Sequence, residues 1–356
     1  MSVAFDRQID PLGTHRVIEP PGAMPQNALR LDNTPIAFEN EILIDVETLS
    51  IDSDSFKQIA DANAGDPHAI GGHIMQTVRQ RGKQHNPVTG SGGTFIGRVL
   101  KIGETLRSRL DLQPGDRIVS LVSLTLTPLY VESVTNVDVA TGRVWIRGKA
   151  ILFESARWAK LPPDIADDVA FAVFAVAGAP AQVRRLGKRG MTVVVIGANG
   201  KSGILACAQA KRAVGESGKV IGIAPRIDTE STRLLQQAGL VDAFVQADAR
   251  NAIEVSQRIR VLAPELADLV VNCVNVPGTE LSSVLCAKDE GTVYFFSRAT
   301  SFNAAALGAE GVGKDVTMII GNGYAKGHAD TALATLREYP EILRYFMRKY
   351  TQEGRN

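Results

Sequence analysis

The sequence predicts an α/β protein of two domains, a β-rich one followed by a doubly wound parallel sheet. Three observations lead there. Before about residue 155, short apolar–polar alternations are separated by glycine and proline turns. After residue 160, apolar strand-like runs alternate with helical stretches, the pattern of a parallel sheet covered on both faces. A glycine-rich loop joins the first of those strands to its helix. A chain of 356 residues is long enough for two cores.

The first domain, 1–160, takes its strands from EILIDVETLSI (Glu41–Ile51), GTFIGRVLKIG (93–103) and PGDRIVSLVSL (114–124). They predict a barrel-like β domain. The second, 161–321, has strand candidates at Thr192–Ile196, 220–224, Ala243–Gln246, 269–274, 292–296 and Val316–Ile320. KSGILACAQAKRAV, SQRIRVLAPEL and GTELSSVLCAK read as helices between them, and HADTALATLREYPEILRYFMRKY as two helices broken at a proline.

The net charge is +1, with 45% hydrophobic and 22% charged residues. Nothing there calls for nucleic acid, and the basic RQRGK (79–83) reads as a solvated face. No apolar run is long enough for a bilayer span and the first residues do not read as a signal peptide, so no membrane is expected. The three cysteines, Cys207, Cys273 and Cys286, lie in apolar segments without CxxC spacing. They read as small buried hydrophobes in a reducing cytoplasm, without metal or disulfide.

The loop reads VVIGANGKSG. Gly200, Lys201 and Ser202 mimic the end of a triphosphate-binding P-loop, but the first glycine of that motif would fall at Val195, inside the strand. The dinucleotide reading fits better. Gly197 turns off the strand, Gly200 lets backbone approach a pyrophosphate, and Gly203 lets the helix pack closely. Asn199, Lys201 and Ser202 meet the pyrophosphate through backbone or side chain. The next strand, KVIGIA, is followed by no acid at the usual ribose position, whereas Arg226 stands near enough to pair with a 2′-phosphate. NADP is therefore favoured over NAD, with Asp228 as the rival ribose ligand. Asn275 and Ser297, at the ends of the fourth and fifth strands, are nicotinamide contacts.

In this order of parts the chain resembles the medium-chain dehydrogenase/reductase superfamily. GTFIGRVLKIG is similar to its GxVxxxG strand, LQPGDRIVSL to its GDRV turn, and AKLPPDI to its KLP approach to the nucleotide fold. The resemblance implies a GroES-like substrate domain completed by 322–356, a Rossmann domain, and a homodimer. The Gly-His-Glu triplet of the zinc enzymes is replaced by Gly92, Gly93 and Thr94, and LSIDSDSF holds no cysteine ligand. No metal is expected. GTHRVIEPPGAMPQ, ILIDVETLSIDSDSF, RGKQHNPVTGSGG, GKAILFESA and VAGAPAQ resemble a narrower, zinc-free family, the 3,5-diaminohexanoate dehydrogenases of lysine fermentation. That implies NAD(P)-dependent oxidative deamination of a small diamino acid to a keto acid, with release of ammonia.

A diamino acid calls for acids at its amines, a base for the reacting amine, and donors for its carboxylate. Asp52 and Asp54 follow the first strand, as a substrate site or as a solvated turn. In the polar loop, Lys83 is a candidate for the carboxylate, His85 for proton transfer, and Thr89 and Ser91 for substrate hydrogen bonds; the plainer reading is a flexible connection. Glu154 ends an apolar run, facing either the amine or solvent. His15, His68, His73 and His328 lack ligand spacing and read as structural or surface. A zinc-free NADPH-dependent quinone or enone reductase, and a non-catalytic NADP(H)-binding protein, remain as alternatives. The pocket acids argue against both.

Overall fold

A computed structural model describes residues 10–321 and 323–351. The chain divides between Pro162 and Pro163 into two units.

The first unit contains strands β1 (Val17–Glu19), β2 (Arg30–Leu31), β3 (Glu41–Ile51), β4 (Gly93–Ile102), β5 (Arg117–Ser120), β6 (Leu129–Asp138), β7 (Arg143–Phe153) and β8 (Trp158–Lys160). Its helices are α1 (Ser53–Ala62), α2 (Pro67–Arg81) and the single turn α3 (Glu104–Arg107). Six strands form an antiparallel sheet in the order β6-β7-β3-β4-β5-β8. Strands β6 and β8 end that order as edges, so the expected barrel is met by an open sheet. The expected strand 114–124 shrinks to β5.

Strand β3 explains its own sequence. Ile42, Ile44 and Val46 alternate onto the core face, and then Leu49 and Ile51 do, one residue out of step. Both pairings of β3 shift register between Val46 and Thr48. The extra residue of this bulge swaps faces, so that both halves of the strand bury their apolar residues. Phe56 and Ile59 of α1, and Ile70, Ile74 and Val78 of α2, pack into the same core. Helix α2 starts at Asp66, whose side chain accepts from His68 N–H, with Pro67 in the first helical position. It stops at Gly82, which has φ +67° and lies so close to Leu31 O that a Cβ would stand 2.0 Å from it.

The second unit contains strands β9 (Thr192–Ile196), β10 (Lys219–Ala224), β11 (Ala243–Gln246), β12 (Ala267–Asn272), β13 (Ala287–Phe295) and β14 (Val316–Ile320). Its helices are α4 (Asp167–Phe174), α5 (Gly178–Leu186), α6 (Lys201–Val214), α7 (Glu230–Gln237), α8 (Ala252–Leu262), α9 (Glu280–Cys286), α10 (Phe302–Gly311), α11 (His328–Glu338) and α12 (Pro340–Tyr350). The sheet is wholly parallel, in the order β11-β10-β9-β12-β13-β14. This is the doubly wound arrangement, with its direction reversing between β9 and β12. Val194, Ile196, Ile223, Val270, Val293 and Phe295 pack on α8, α9 and α10. Helix α6 lies against β9 and β10 beneath α5 and α11, which is why it is buried along most of its length.

The C-terminal segment departs from expectation. Residues 322–356 were expected to complete the first domain, yet α11 packs on α4, α5 and α6, and α12 on α4 and α7. The buried faces of these two helices, Ala332, Leu333 and Leu336 and then Ile342, Tyr345 and Phe346, are apolar stripes at helical spacing. Their described residues belong to the second unit. Among the described residues, no single helix is long and apolar enough to cross a membrane.

Candidate dinucleotide and substrate sites

The glycine loop is built as its spacing requires. Strand β9 ends at Ile196, and Gly197 turns with φ +81°. Gly203, one turn into α6, is held close: a Cβ there would stand 2.1 Å from Gly197 O and 2.7 Å from Ala198 Cα. Gly200 is the N-cap of α6, and no side chain caps the helix. The first-turn N–H groups of Lys201, Ser202 and Gly203 thus have no intrahelical acceptor, and they carry the positive end of the helix dipole. A pyrophosphate fits this cradle. Val195 lies within β9, paired with Gly222 and Val271, so the P-loop reading fails.

The other nucleotide candidates surround the strand ends. Arg226 is exposed, two residues beyond the end of β10. The strands end earlier than the sequence suggested, at Asn272 and Phe295, and Asn275 and Ser297 lie in the following turns. There Ser297 Oγ donates to Asn275 Oδ1 at 3.3 Å, so the structure brings these two together. Lys201 turns away: its Nζ stands 5.6 Å from the centre of the Tyr350 ring, and burial, followed by the Lys349 charge, lowers its pKa. Ser202 is buried beside Cys273, whose thiol burial pushes up to about 12 against the opposing hydrogen bond from Ser202.

In the first unit, the polar loop folds onto α1. Asn86 is the clamp. Its Oδ1 accepts from Val88 N–H at 2.8 Å and its Nδ2 donates to Gln58 Oε1 at 2.8 Å. Asn86 N–H donates to Ser91 O, and Gly90 N–H to Asn86 O, each at 2.9 Å, closing a tight turn with Gly90 at φ +69°. The turn delivers Thr89 and Ser91 to Ser55 on α1. Ser55 Oγ is hydrogen-bonded to Thr89 Oγ1, and it lies 2.5 Å from Ser91 Oγ. Ser91 Oγ donates to Asp54 Oδ1 at 3.4 Å. Asp52 is the half-buried N-cap of α1, and its carboxylate does not cap the helix. Gln84 is fully buried with neither amide atom hydrogen-bonded, and the buried His85 Nδ1 is also without a partner. Burial first, then the charges of Lys83 and Arg81, lower the His85 pKa, which favours the neutral imidazole. Among the described residues, no three His, Cys, Asp or Glu side chains gather as a metal-binding group.

A family model described as the L-erythro-3,5-diaminohexanoate dehydrogenase N-terminal domain matches residues 15–162, ending where the first unit ends. The chain is 50% identical over 345 residues to the L-erythro-3,5-diaminohexanoate dehydrogenase of Acetoanaerobium sticklandii, a match covering 95% of this chain and 98% of that protein. It is 48% identical over 339 residues to the protein of the same name from Fusobacterium nucleatum, with 95% and 98% covered. The chain belongs to the L-erythro-3,5-diaminohexanoate dehydrogenase family. Its fold is shared with a mycobacterial protein solved with NADPH, at a TM-score of 0.52 and 16% identity, over 87% of this chain and 82% of that one.

Within this dehydrogenase, two of the expected site residues, Lys83 and Glu154, are engaged by partners of their own chain. Lys83 was expected to meet a carboxylate, but its side chain is wholly buried and its Nζ donates to Pro25 O at 2.7 Å and Gln26 O at 3.0 Å. Burial, then the Arg81 charge, bring its pKa down to about 8. It ties two segments of the first unit together. Glu154 follows Phe153, which pairs with Glu41 at the start of β3, whereas Asp52 follows the far end, where Ser50 pairs with Arg143. A strand of this length separates the two by roughly 30 Å. Glu154 pairs with Arg109 at 2.7 Å, at the opposite end of β3 from Asp52.

Sequence reasoning missed Ser55, Gln58, Gln84 and Asn86. Asn-Pro at 86–87 and Thr-Gly at 89–90 did mark a turn. Nothing local showed that the turn closes on α1.

Proposed function

We propose that this chain catalyses the NAD(P)-dependent oxidative deamination of (3S,5S)-3,5-diaminohexanoate to (S)-5-amino-3-oxohexanoate, releasing ammonia, as in anaerobic lysine fermentation. The observation that carries this reading is kinship along nearly the whole chain, at 50% identity, with a dehydrogenase named for that substrate. The polar loop supports it. It is anchored to α1 by side chains of RGKQHNPVTGSGG, one of the segments that carry the resemblance to the 3,5-diaminohexanoate dehydrogenases.

The roles follow from chemistry. An ammonium cannot lose hydride from its carbon until a proton has left the nitrogen. Asp52 holds one substrate ammonium by charge. The Thr89 hydroxyl takes a hydrogen bond from the reacting amine, with Ser91 behind it, and neutral His85 accepts the proton released when water adds to the iminium. The nicotinamide, when bound, supplies the hydride acceptor for C3. Water then hydrolyses the iminium to ketone and ammonia. The loop of Gly197, Asn199 and Gly200, with the first turn of α6, holds the pyrophosphate. Asn275 and Ser297 contact the nicotinamide, and Arg226 pairs with the 2′-phosphate of NADP. The chemistry runs without a metal. We further propose a homodimer formed along β14, an edge strand with free backbone groups and an exposed Ile320, and a reducing cytoplasm as the home of its three free cysteines.

The test is absorbance at 340 nm with purified protein, 3,5-diaminohexanoate, and NAD or NADP. A rise with either cofactor is expected. Arg226→Ala is expected to weaken NADP binding about tenfold and to spare NAD, a loss of one charge-assisted contact. No rise with either cofactor, alongside oxidation of NADPH by a quinone or enone, would overturn the reading.

A further inference from the structure

We propose that Thr89, Ser55 and Ser91 form a proton relay ending on the Asp54 carboxylate, which carries the proton of the reacting ammonium to solvent. The proposal rests on the amine-oxidation reading and deepens it. An ionised carboxylate only accepts, so the hydrogen shared by Ser91 Oγ and Asp54 Oδ1, 3.4 Å apart, comes from Ser91. Either hydroxyl can donate across the 2.5 Å contact of Ser55 Oγ and Ser91 Oγ; in the relay Ser91 gives its hydrogen to Asp54 and accepts from Ser55. Ser55 Oγ, then a donor, accepts in the relay from Thr89 Oγ1, its other hydroxyl partner. Each hydroxyl has one hydrogen, so all three point the same way, toward Asp54. Thr89 receives only a long 3.3 Å hydrogen bond from Ser91 N–H and keeps acceptor capacity. The chain is open at Thr89 and closed at Asp54.

A simpler purpose would be to tie the loop to α1. Asn86 already does this, through Val88 N–H and Gln58. A tie needs no common direction among three hydroxyls. The chain's burial also fits transport: Ser55 is fully buried and Ser91 nearly so, while Asp54 is exposed.

The step balances. The ammonium N–H bond breaks and a Thr89 O–H bond forms. The Thr89 proton passes to Ser55, the Ser55 proton to Ser91, and the Ser91 proton to Asp54, which releases it to water. One proton crosses and nothing is oxidised. The amine left neutral on the substrate then loses hydride in the reaction already proposed.

The links differ in weight. Thr89 Oγ1 and Ser91 Oγ are 3.3 Å apart, so a direct, weaker path bypasses Ser55. Among the described residues, Ser91 is the hydroxyl that reaches the Asp54 carboxylate. General acid–base groups contribute on the order of 100-fold or more, so Ser91→Ala is expected to slow hydride transfer about 100-fold and Ser55→Ala about tenfold. Ser91→Thr, which keeps the hydroxyl, is expected to restore most of the rate. The measurement is single-turnover reduction of NAD(P) by 3,5-diaminohexanoate in mixtures of H2O and D2O. Native protein is expected to show a curved proton inventory, several protons moving together, and Ser91→Ala a linear one. A merely structural role moves the rate without changing that curvature. Folded Ser91→Ala with native rate and native inventory would overturn the relay while leaving the function standing. Should Ser91→Ala not fold, the same comparison on Ser55→Ala decides. Native protein that reduces neither cofactor would remove the function, and the relay with it.

Discussion

The two ends of β3 carry the same kinds of side chain and use them in opposite ways. At the Glu41 end, an acid, a histidine and an arginine close on one another. Glu41 accepts from Arg16 Nε at 2.9 Å, Arg16 Nη2 at 2.6 Å, His15 Nε2 at 2.8 Å and Phe38 N–H at 2.9 Å. Arg16 also donates to Ile36 O and Thr34 O, and its guanidinium lies 4.3 Å from the centre of the Phe38 ring. Asp10 N–H donates to His15 Nδ1 at 3.3 Å, so both ring nitrogens of His15 are engaged. At the Ile51 end stand two aspartates, a histidine and a run of hydroxyls, with Gln84 buried and unpaired. Buried charge alone therefore does not mark a site. The Glu41 cluster is complete without a ligand; the loop at the other end has capacity left over.

The sharpest way to break this comparison is to remove one acid at each end. Glu41→Gln strips the counter-charge from a buried arginine, for an expected loss of about 3–5 kcal/mol of stability, read by chemical unfolding. Burial alone would raise the Glu41 pKa; the hydrogen bonds from His15, Arg16 and Phe38 N–H, with the Arg16 charge, hold it below the ordinary value. The native advantage is therefore fully present above the unfolded glutamate value near 4.3 and is lost as pH falls through the lower folded value. Asp52→Asn should do the reverse: an unfolding midpoint that moves far less than in Glu41→Gln, with kcat lower by about 100-fold for a lost electrostatic contact and cofactor affinity intact. Destabilisation by Asp52→Asn with full turnover would show that both ends are structural.

The same contrast explains what the sequence made legible. In the nucleotide unit all six strands were placed to within a few residues, Lys201–Val214 was read as α6, and the break of the last segment at Pro340 is in place. Its site is made from backbone at the end of a strand and the start of a helix, and glycine spacing encodes backbone directly. The hairpin of β6 and β7 went unnamed although LYVESVTNVD alternates, and α2 carried its start and stop at Asp66, Pro67 and Gly82. Those signals were local and available. The proposed substrate site is different in kind. Ser55 and Ser91 are 36 positions apart, and Lys83 and Pro25 are 58 apart. A lysine in a polar loop reads the same whether it faces substrate or two carbonyls of its own chain. The C-terminal helices were misplaced for a related reason: an apolar stripe shows that a helix is covered, not by which unit.

Lys83 sharpens the comparison from within the loop. Lys83→Met leaves the Pro25 and Gln26 carbonyls without their donor, for an expected loss of about 1–3 kcal/mol. KM for the substrate should not change. A lysine depressed to about 8 in the fold and near 10.4 when unfolded binds fewer protons folded than unfolded between those values. Stability of the native protein relative to Lys83→Met should therefore rise with pH across that window. A raised KM with an unchanged unfolding midpoint would return Lys83 to the substrate carboxylate.

The smallest effect belongs to Glu154. It shares an end of the sheet with Glu41, but its partner Arg109 is mostly exposed, and the pair spans 2.7 Å in solvent reach. Exposed pairs contribute about 0–1 kcal/mol, so Glu154→Gln should shift stability by no more than that. Salt should erase most of the difference, because screening acts on exposed charges. Turnover, KM and the proton inventory should match native protein, since β3 holds Glu154 away from the hydroxyl chain by its whole length. A tenfold loss of kcat in Glu154→Gln, with stability intact, would mean that chemistry reaches the closed end of the strand, and the division between a structural end and a working end would fall.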